Sequence, residues 1–151
     1  MQRRVSINAA SRDDELRPHL MRAMGCRLSP ALDEVTLFMS ASSSTDVLAD
    51  LRANGLIAVV FSEPSTDRTL QLKGRDARIG PLAPDDLPCV QHYIERFADE
   101  IAALGFDRDV VKTLFDHDGI DDLVAVTFRP LEAFEQTPGP NAGMPLVATR
   151  P

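Results

Sequence analysis

The sequence predicts an α+β fold, a small antiparallel barrel with helices packed outside it. Three observations carry this. Short alternating apolar segments recur along the chain and are joined mostly by turns. The strongest helical periodicity falls in one late segment, after the fifth strand. No strand–helix–strand alternation of the kind that builds a parallel sheet is present, nor is a GxGxxG or a P-loop. At 151 residues the chain is long enough for one domain with a substantial core.

Arg4 to Ala10 alternates, with Val5, Ile7 and Ala9 opposite Ser6, Asn8 and Ala10, and reads as a first strand. A charged turn, Ser11 to Glu15, follows. Leu16 to Leu28 reads as a second strand, bent at Gly25, although Leu20 to Met24 also fits a helix. Ser29 to Glu34 is a turn, and Val35 to Ser40 a third strand. Ser42 to Asp46 is hydroxyl-rich and precedes a short helix with Val47, Leu48 and Leu51 on its apolar face. Asn54-Gly55 stops that helix. Ser44 or Thr45 is either an N-cap or part of an anion site at the helix N-terminus.

Leu56 to Phe61 is β-branched and apolar, the pattern of a strand buried on both faces. Ser62 to Asp67 is a turn. Arg68 to Lys73 alternates Leu70 and Leu72 with Thr69, Gln71 and Lys73, so one face is buried and one is available. This strand is expected to run on toward Ile79. After Gly80 to Pro84, Asp85 or Asp86 caps the longest helix, whose stripe is Leu87, Val90, Ile94, Phe97, Ile101 and Leu104, a core or dimer face. Asp107 to Phe115 is a shorter helix. Asp116-His117-Asp118 is read as a solvated loop, since a metal site needs further ligands at fixed spacing. Asp122 to Arg129 is a sixth strand. The tail from Gln136 is rich in Pro and Gly and is expected to be irregular.

Composition narrows the function. The net charge of −7 argues against nucleic-acid binding. No run is long and apolar enough for a membrane span, and the N-terminus lacks a secretory apolar core, so a cytoplasmic location is expected. Cys26 and Cys89 have no metal-type spacing and read as buried thiols. Residues 1–30 carry six Arg against three acids, whereas residues 83–135 carry thirteen acids against four bases. Arg suits bidentate recognition of phosphate and carboxylate. No GxSxG or paired His suggests a hydrolase.

Several strings together resemble the pyridoxamine 5′-phosphate oxidase-like group of FMN-binding split barrels, over about residues 4–135. Arg17-Pro18-His19-Leu20-Met21-Arg22 resembles the strand that places a phosphate-binding Arg, with a second base five positions on. Leu37-Phe38-Met39-Ser40 resembles the next strand, which edges the flavin ring. Ser43-Ser44-Thr45 stands where the group has its phosphate segment. Arg68-Thr69-Leu70-Gln71-Leu72-Lys73-Gly74 resembles the strand whose Arg-Gln or Arg-Thr pair touches the flavin. The resemblance implies an antiparallel six-stranded split β-barrel over residues 1–135, a homodimer with FMN between subunits, and cofactor contacts from Arg17, Arg22, Met39, Ser40, Ser44, Thr45, Arg68 and Thr69.

Asp46 and Val47 stand where the best-known oxidases carry Arg-Lys, and the chain has no Trp to close a pyridoxal site. The expectation is therefore FMN binding and an oxidoreductase acting on a small molecule, and not vitamin B6 oxidation. The alternatives are a flavin or haem carrier or sensor, and a ligand-free dimeric module.

Overall fold

The computed structural model of the chain defines residues 4–115 and 120–146. In order the elements are β1 (Ser6–Arg12), β2 (Pro18–Arg22), β3 (Cys26–Leu28), β4 (Val35–Ser40), α1 (Thr45–Asn54), β5 (Ile57–Glu63), β6 (Arg68–Gly74), β7 (Arg78–Gly80), α2 (Asp86–Ala103), α3 (Arg108–Leu114), a 3-10 turn (Ile120–Asp122), β8 (Leu123–Phe128) and β9 (Glu132–Glu135). The strands form two sheets, β2-β1-β5-β6-β9 and β3-β4-β8-β7. Every pairing is antiparallel.

The fold is thus the expected mixture of antiparallel strands and a few helices, but not six strands. Nine are present among the described residues, in two sheets that are not closed into one barrel. Three local breaks explain the excess. The segment read as one strand over 16–28 divides at Ala23–Gly25, where the chain passes between sheets. Gly25 has φ 131°, and a Cβ there would lie 3.2 Å from Tyr93 Cβ, so only glycine suits both the backbone and the space. The strand expected to reach Ile79 stops at Gly74, and β7 joins the other sheet. The residues after Pro130 form β9 by pairing with β6.

The core lies between the sheets and α1. All six residues of β4 are buried, and Ile7, Val59, Leu37, Phe38, Met39, Val126 and Phe128 are fully enclosed. By contrast, β5 buries Ile57 and Val59 while Ala58 and Val60 are only half-buried. Its expected two-sided burial is therefore met on one face only.

The helix α1 ends at Gly55, with φ 67° and its N–H bonded to Leu51 O. On α2 the buried face is offset from the expected stripe. Tyr93 and Glu100 are buried, and Leu104 is 43% exposed. The Tyr93 hydroxyl donates to Val5 O (2.8 Å), and Glu100 accepts from the Ser65 amide (2.9 Å), so polar anchoring turns the helix. Tyr93, Phe97 and Phe115 form an aromatic cluster joining α2 to the end of α3. The region after β9 is irregular, as expected, yet it docks: Pro145 bridges Phe134, and Leu146 N bonds Ala133 O.

Among the described residues no helix is long and apolar enough to cross a membrane, and no group of three or more His, Cys, Asp or Glu is placed to hold a metal. Asp116-His117-Asp118 lies outside the described residues. Cys26 and Cys89 are half-buried and make no disulfide, and burial pushes the Cys26 thiol up to about 11.

Candidate functional site

The N-terminus of α1 packs beside the edge strand β2. Between them is a cavity of about 210 Å³ lined by Pro18, His19, Leu20, Met21, Ser43, Ser44, Asp46 and Val47. The loop that leads into α1 is held from below by Asp122. Its carboxylate accepts from Ser40 Oγ (2.5 Å), Ser42 N (2.8 Å) and Ser42 Oγ (3.0 Å), and Ser43 N bonds Ser40 Oγ (3.2 Å). This fixes the loop one turn before the helix begins. Ser44 occupies the N-cap position, but its side chain makes no capping bond. Its hydroxyl is buried and is the one buried side-chain polar atom without a partner among the described residues. An orphaned buried hydroxyl is costly, and such groups call for an explanation.

His19 enters the same cavity from β2. Its Nδ1 lies 2.8 Å from Asp50 Oδ2, and that oxygen also accepts from Ser11 Oγ at 2.6 Å. The three residues tie β2, α1 and β1 together, with Asp50 only 6% exposed. The Asp50 carboxylate raises the His19 pKa, a direction reinforced by Asp46 and Asp13 nearby. Burial pushes the Asp50 carboxyl up, but the bonds from Ser11 and His19 outweigh it and leave its pKa lowered. With Nδ1 engaged by Asp50, Nε2 is the nitrogen left to a ligand.

The two Arg residues expected at a phosphate are not brought together. Arg17 is drawn into its own turn: its Nε bonds Asp13 Oδ2 (2.7 Å), its Nη1 lies 3.2 Å from Glu15, and its side chain is 67% exposed. The Arg17 side-chain bond also holds the Asp13 carboxyl below its ordinary value. Arg22 donates to Ser6 Oγ (2.8 Å) and stacks over the Phe97 ring at 5.6 Å. Five residues is an odd spacing, and along an extended chain it sends two side chains to opposite faces. Met39 is fully buried in the core, Ser40 is occupied by Asp122, and Thr45 is exposed at the first position of α1.

Arg68 and Thr69 lie elsewhere. They line a cavity of about 370 Å³ with Val5, Phe61, Glu63, Leu70, Glu135, Thr137 and Leu146. Thr69 Oγ1 donates to Asp67 O (3.0 Å) and lies 2.8 Å from Ser62 Oγ, and the Thr69 amide bonds Thr137 Oγ1 (3.0 Å). The Thr137 hydroxyl also lowers the Glu135 pKa. In the sheet, β2 and β6 are separated by β1 and β5. That is about 14 Å across the strands, with Thr69 about 17 Å further along them than His19. One protomer does not bring these groups into a single cleft. A third cavity, of about 420 Å³, is lined by Arg12, Lys73, Arg75 and Glu132 over a floor that includes Ala10 and Ala58. Lys73 sits there over the Phe134 ring at 4.6 Å.

His19, Asp50 and Ser11 were missed from the sequence, where the string around His19 was read for its Arg residues. A signal was present. Asp50 falls three residues after Val47 on the apolar face of α1, and a carboxylate on a buried face needs a partner.

No family model and no curated protein matches the chain. Solved structures do. HupZ of Group A Streptococcus is 17% identical, with 92% of this chain and 90% of that one covered at a TM-score of 0.54. An F420 reductase is 14% identical, covering 87% and 90%, with a TM-score of 0.50. A pyridoxamine 5′-phosphate oxidase-related FMN-binding protein of Nostoc punctiforme is 10% identical, covering 90% and 76%, also at 0.50. At these identities the likeness is one of fold, and the fold is that of the pyridoxamine 5′-phosphate oxidase-like FMN-binding proteins which the strings around Arg17 and Arg68 resemble.

Proposed function

We propose that this protein binds FMN in a homodimeric split-barrel arrangement, with the phosphate in the α1 cavity and the ring edge against Arg68 and Thr69 of a second copy. The observation that carries the reading is the orphaned Ser44 hydroxyl at the N-terminus of α1, in a cavity that also contains His19. A helix N-terminus offers unpaired N–H groups and a favourable dipole to an anion. The Ser44 hydroxyl, the Ser43 region and a protonated His19 would hold the phosphate by charge-assisted hydrogen bonds. The separation of this cavity from Arg68 and Thr69 within one protomer supports a cleft made by two copies. So do Ala10, Ala58, Val60 and Leu20, which share one face of the five-stranded sheet by register and are half-buried or exposed.

A bound flavin would supply the redox chemistry, and the protein would supply binding, orientation and electrostatics. On this reading the protein is an oxidoreductase for a small molecule. A second reading, a dimeric module or carrier without turnover, is favoured by Asp46 at the cavity and by the engagement of Arg17 with Asp13 and Glu15. The absorption spectrum of protein incubated with FMN and passed through gel filtration separates these. A flavin band eluting with dimeric protein, bleached anaerobically by NADPH or NADH, supports the oxidoreductase. A band that neither donor bleaches supports the carrier, a haem band in its place supports a haem protein, and no band leaves the module.

A further inference from the structure

We propose that His19 supplies the cationic N–H that grips an anionic group, a phosphate monoester or sulfate, in the α1 cavity, and that this grip is released when His19 gives up its proton. The inference deepens the reading above and rests on it for the identity of the ligand.

Three features meet at the cavity. First, Asp50 accepts from Nδ1 and is itself fixed by Ser11, so the imidazole is positioned and its Nε2 is left for the ligand. Second, Ser44, whose buried hydroxyl has no partner among the described residues, lines the same cavity. Third, the ten-residue helix α1 begins there. The permanent cations are committed elsewhere: Arg17 to Asp13 and Glu15, and Arg22 to Ser6 on the other face.

The charged groups that act on His19 are three acids, one of which, Asp13, is itself paired with Arg17. Asp50 and Asp46 face it from α1, and Asp13 from the turn between β1 and β2. Together they keep His19 protonated to higher pH than an ordinary imidazole. They also make the cavity hostile to anions once that proton leaves. A site built on Arg would hold its ligand at any pH in the physiological range, whereas this one is switchable.

Sulfate is the better probe, because a phosphate monoester changes its own charge near pH 6. The experiment is a sulfate titration of the full chain at several pH values, followed on the imidazole signals of the three histidines by proton NMR. His19→Gln identifies the His19 signal by its loss. Sulfate is expected to move that signal and raise its titration midpoint. Its affinity should fall about tenfold as pH rises through the midpoint, the size of one charge-assisted hydrogen bond. Asp50→Asn should move the fall to lower pH, Ser44→Ala should weaken sulfate at every pH, and His19→Gln should abolish the pH dependence while circular dichroism shows the fold retained.

An unmoved His19 signal, or a sulfate affinity that does not vary with pH, overturns the proposal. Tight FMN binding with no pH dependence overturns it while leaving the flavin reading intact. A His19 response to sulfate without FMN binding supports the anion site and rejects FMN as its ligand.

Discussion

The two longer helices begin in opposite ways. At the start of α2, Asp86 is 1% exposed, and its carboxylate accepts from the Ala83 amide (2.8 Å) and from Arg27 Nε (2.6 Å). That buried carboxylate is satisfied by the chain itself, although the N-cap residue Asp85 makes no side-chain capping bond. At the start of α1, the N-cap residue is Ser44, equally buried, and its hydroxyl meets nothing. The carboxylate that serves the neighbouring loop, Asp122, bonds Ser40 and Ser42. One helix start is closed and structural. The other is left with polar capacity that no described residue uses, and that difference marks the candidate site better than the count of nearby Arg residues does.

The contrast is broken most severely at the closed end. Asp86→Ala removes two hydrogen bonds, one of them to a cation, and is expected to cost about 2 kcal/mol. In a chain of this size that corresponds to a fall in Tm of about 4–8 °C, checked by thermal denaturation. The matching change at the open end has the opposite sign. Ser44→Ala removes a buried hydroxyl that has no partner and no capping bond to lose, so stability should hold or rise by up to about 1 kcal/mol. Anion binding should weaken in the same variant. A loss of stability as large as that of Asp86→Ala would mean that Ser44 is satisfied internally after all.

A subtler effect concerns pH. His19 has a raised pKa in the folded chain, so its stabilising pairing with Asp50 is fully present below the unfolded value and is lost as pH rises through the folded value. Asp50, with a lowered pKa, contributes above its unfolded value and loses that contribution as pH falls through the folded one. The stability difference between the protein and its Asp50→Asn variant should therefore be largest in mildly acidic to neutral solution and shrink on both sides, measured by urea denaturation across pH. A difference that grows steadily into the alkaline range would reject the pairing. The smallest expected effect is that of Arg17→Ala on FMN affinity, because Arg17 is exposed and already paired. If it weakens FMN more than His19→Gln does, the roles assigned to these two residues are reversed.

Much of the architecture was legible in the sequence because alternation and turn residues act locally. The strands around Val35–Ser40, Arg68–Lys73 and Val124–Phe128 and all three helices fall where those patterns place them. The strand count was not legible. Whether Gly25 bends a strand or ends it, and whether the residues after Pro130 pair with β6, depends on partners distant in the chain. Of the residues expected at the site, Ser44 lines the α1 cavity, whereas Arg17 and Arg22 are engaged away from it. Arg17 and Arg22 were named by resemblance to a phosphate-binding strand; their odd spacing separates them, with Arg17 paired to Asp13 and Glu15 and Arg22 to Ser6. Met39 was named through the resemblance of its strand to one that edges a flavin ring, and it is buried because both faces of β4 are covered. His19 becomes visible only when β2 is laid against α1 and Asp50 is seen to need a partner.

FMN and riboflavin differ only by the phosphate, so their relative affinity tests the α1 cavity most directly. Titrations of the purified protein with each, followed by quenching of flavin fluorescence at a pH where His19 is protonated, should show FMN bound at least about tenfold more tightly, the worth of a charge-assisted hydrogen bond to the phosphate. Equal affinities, or riboflavin bound better, would contradict the claim that the open start of α1 is built for an anion.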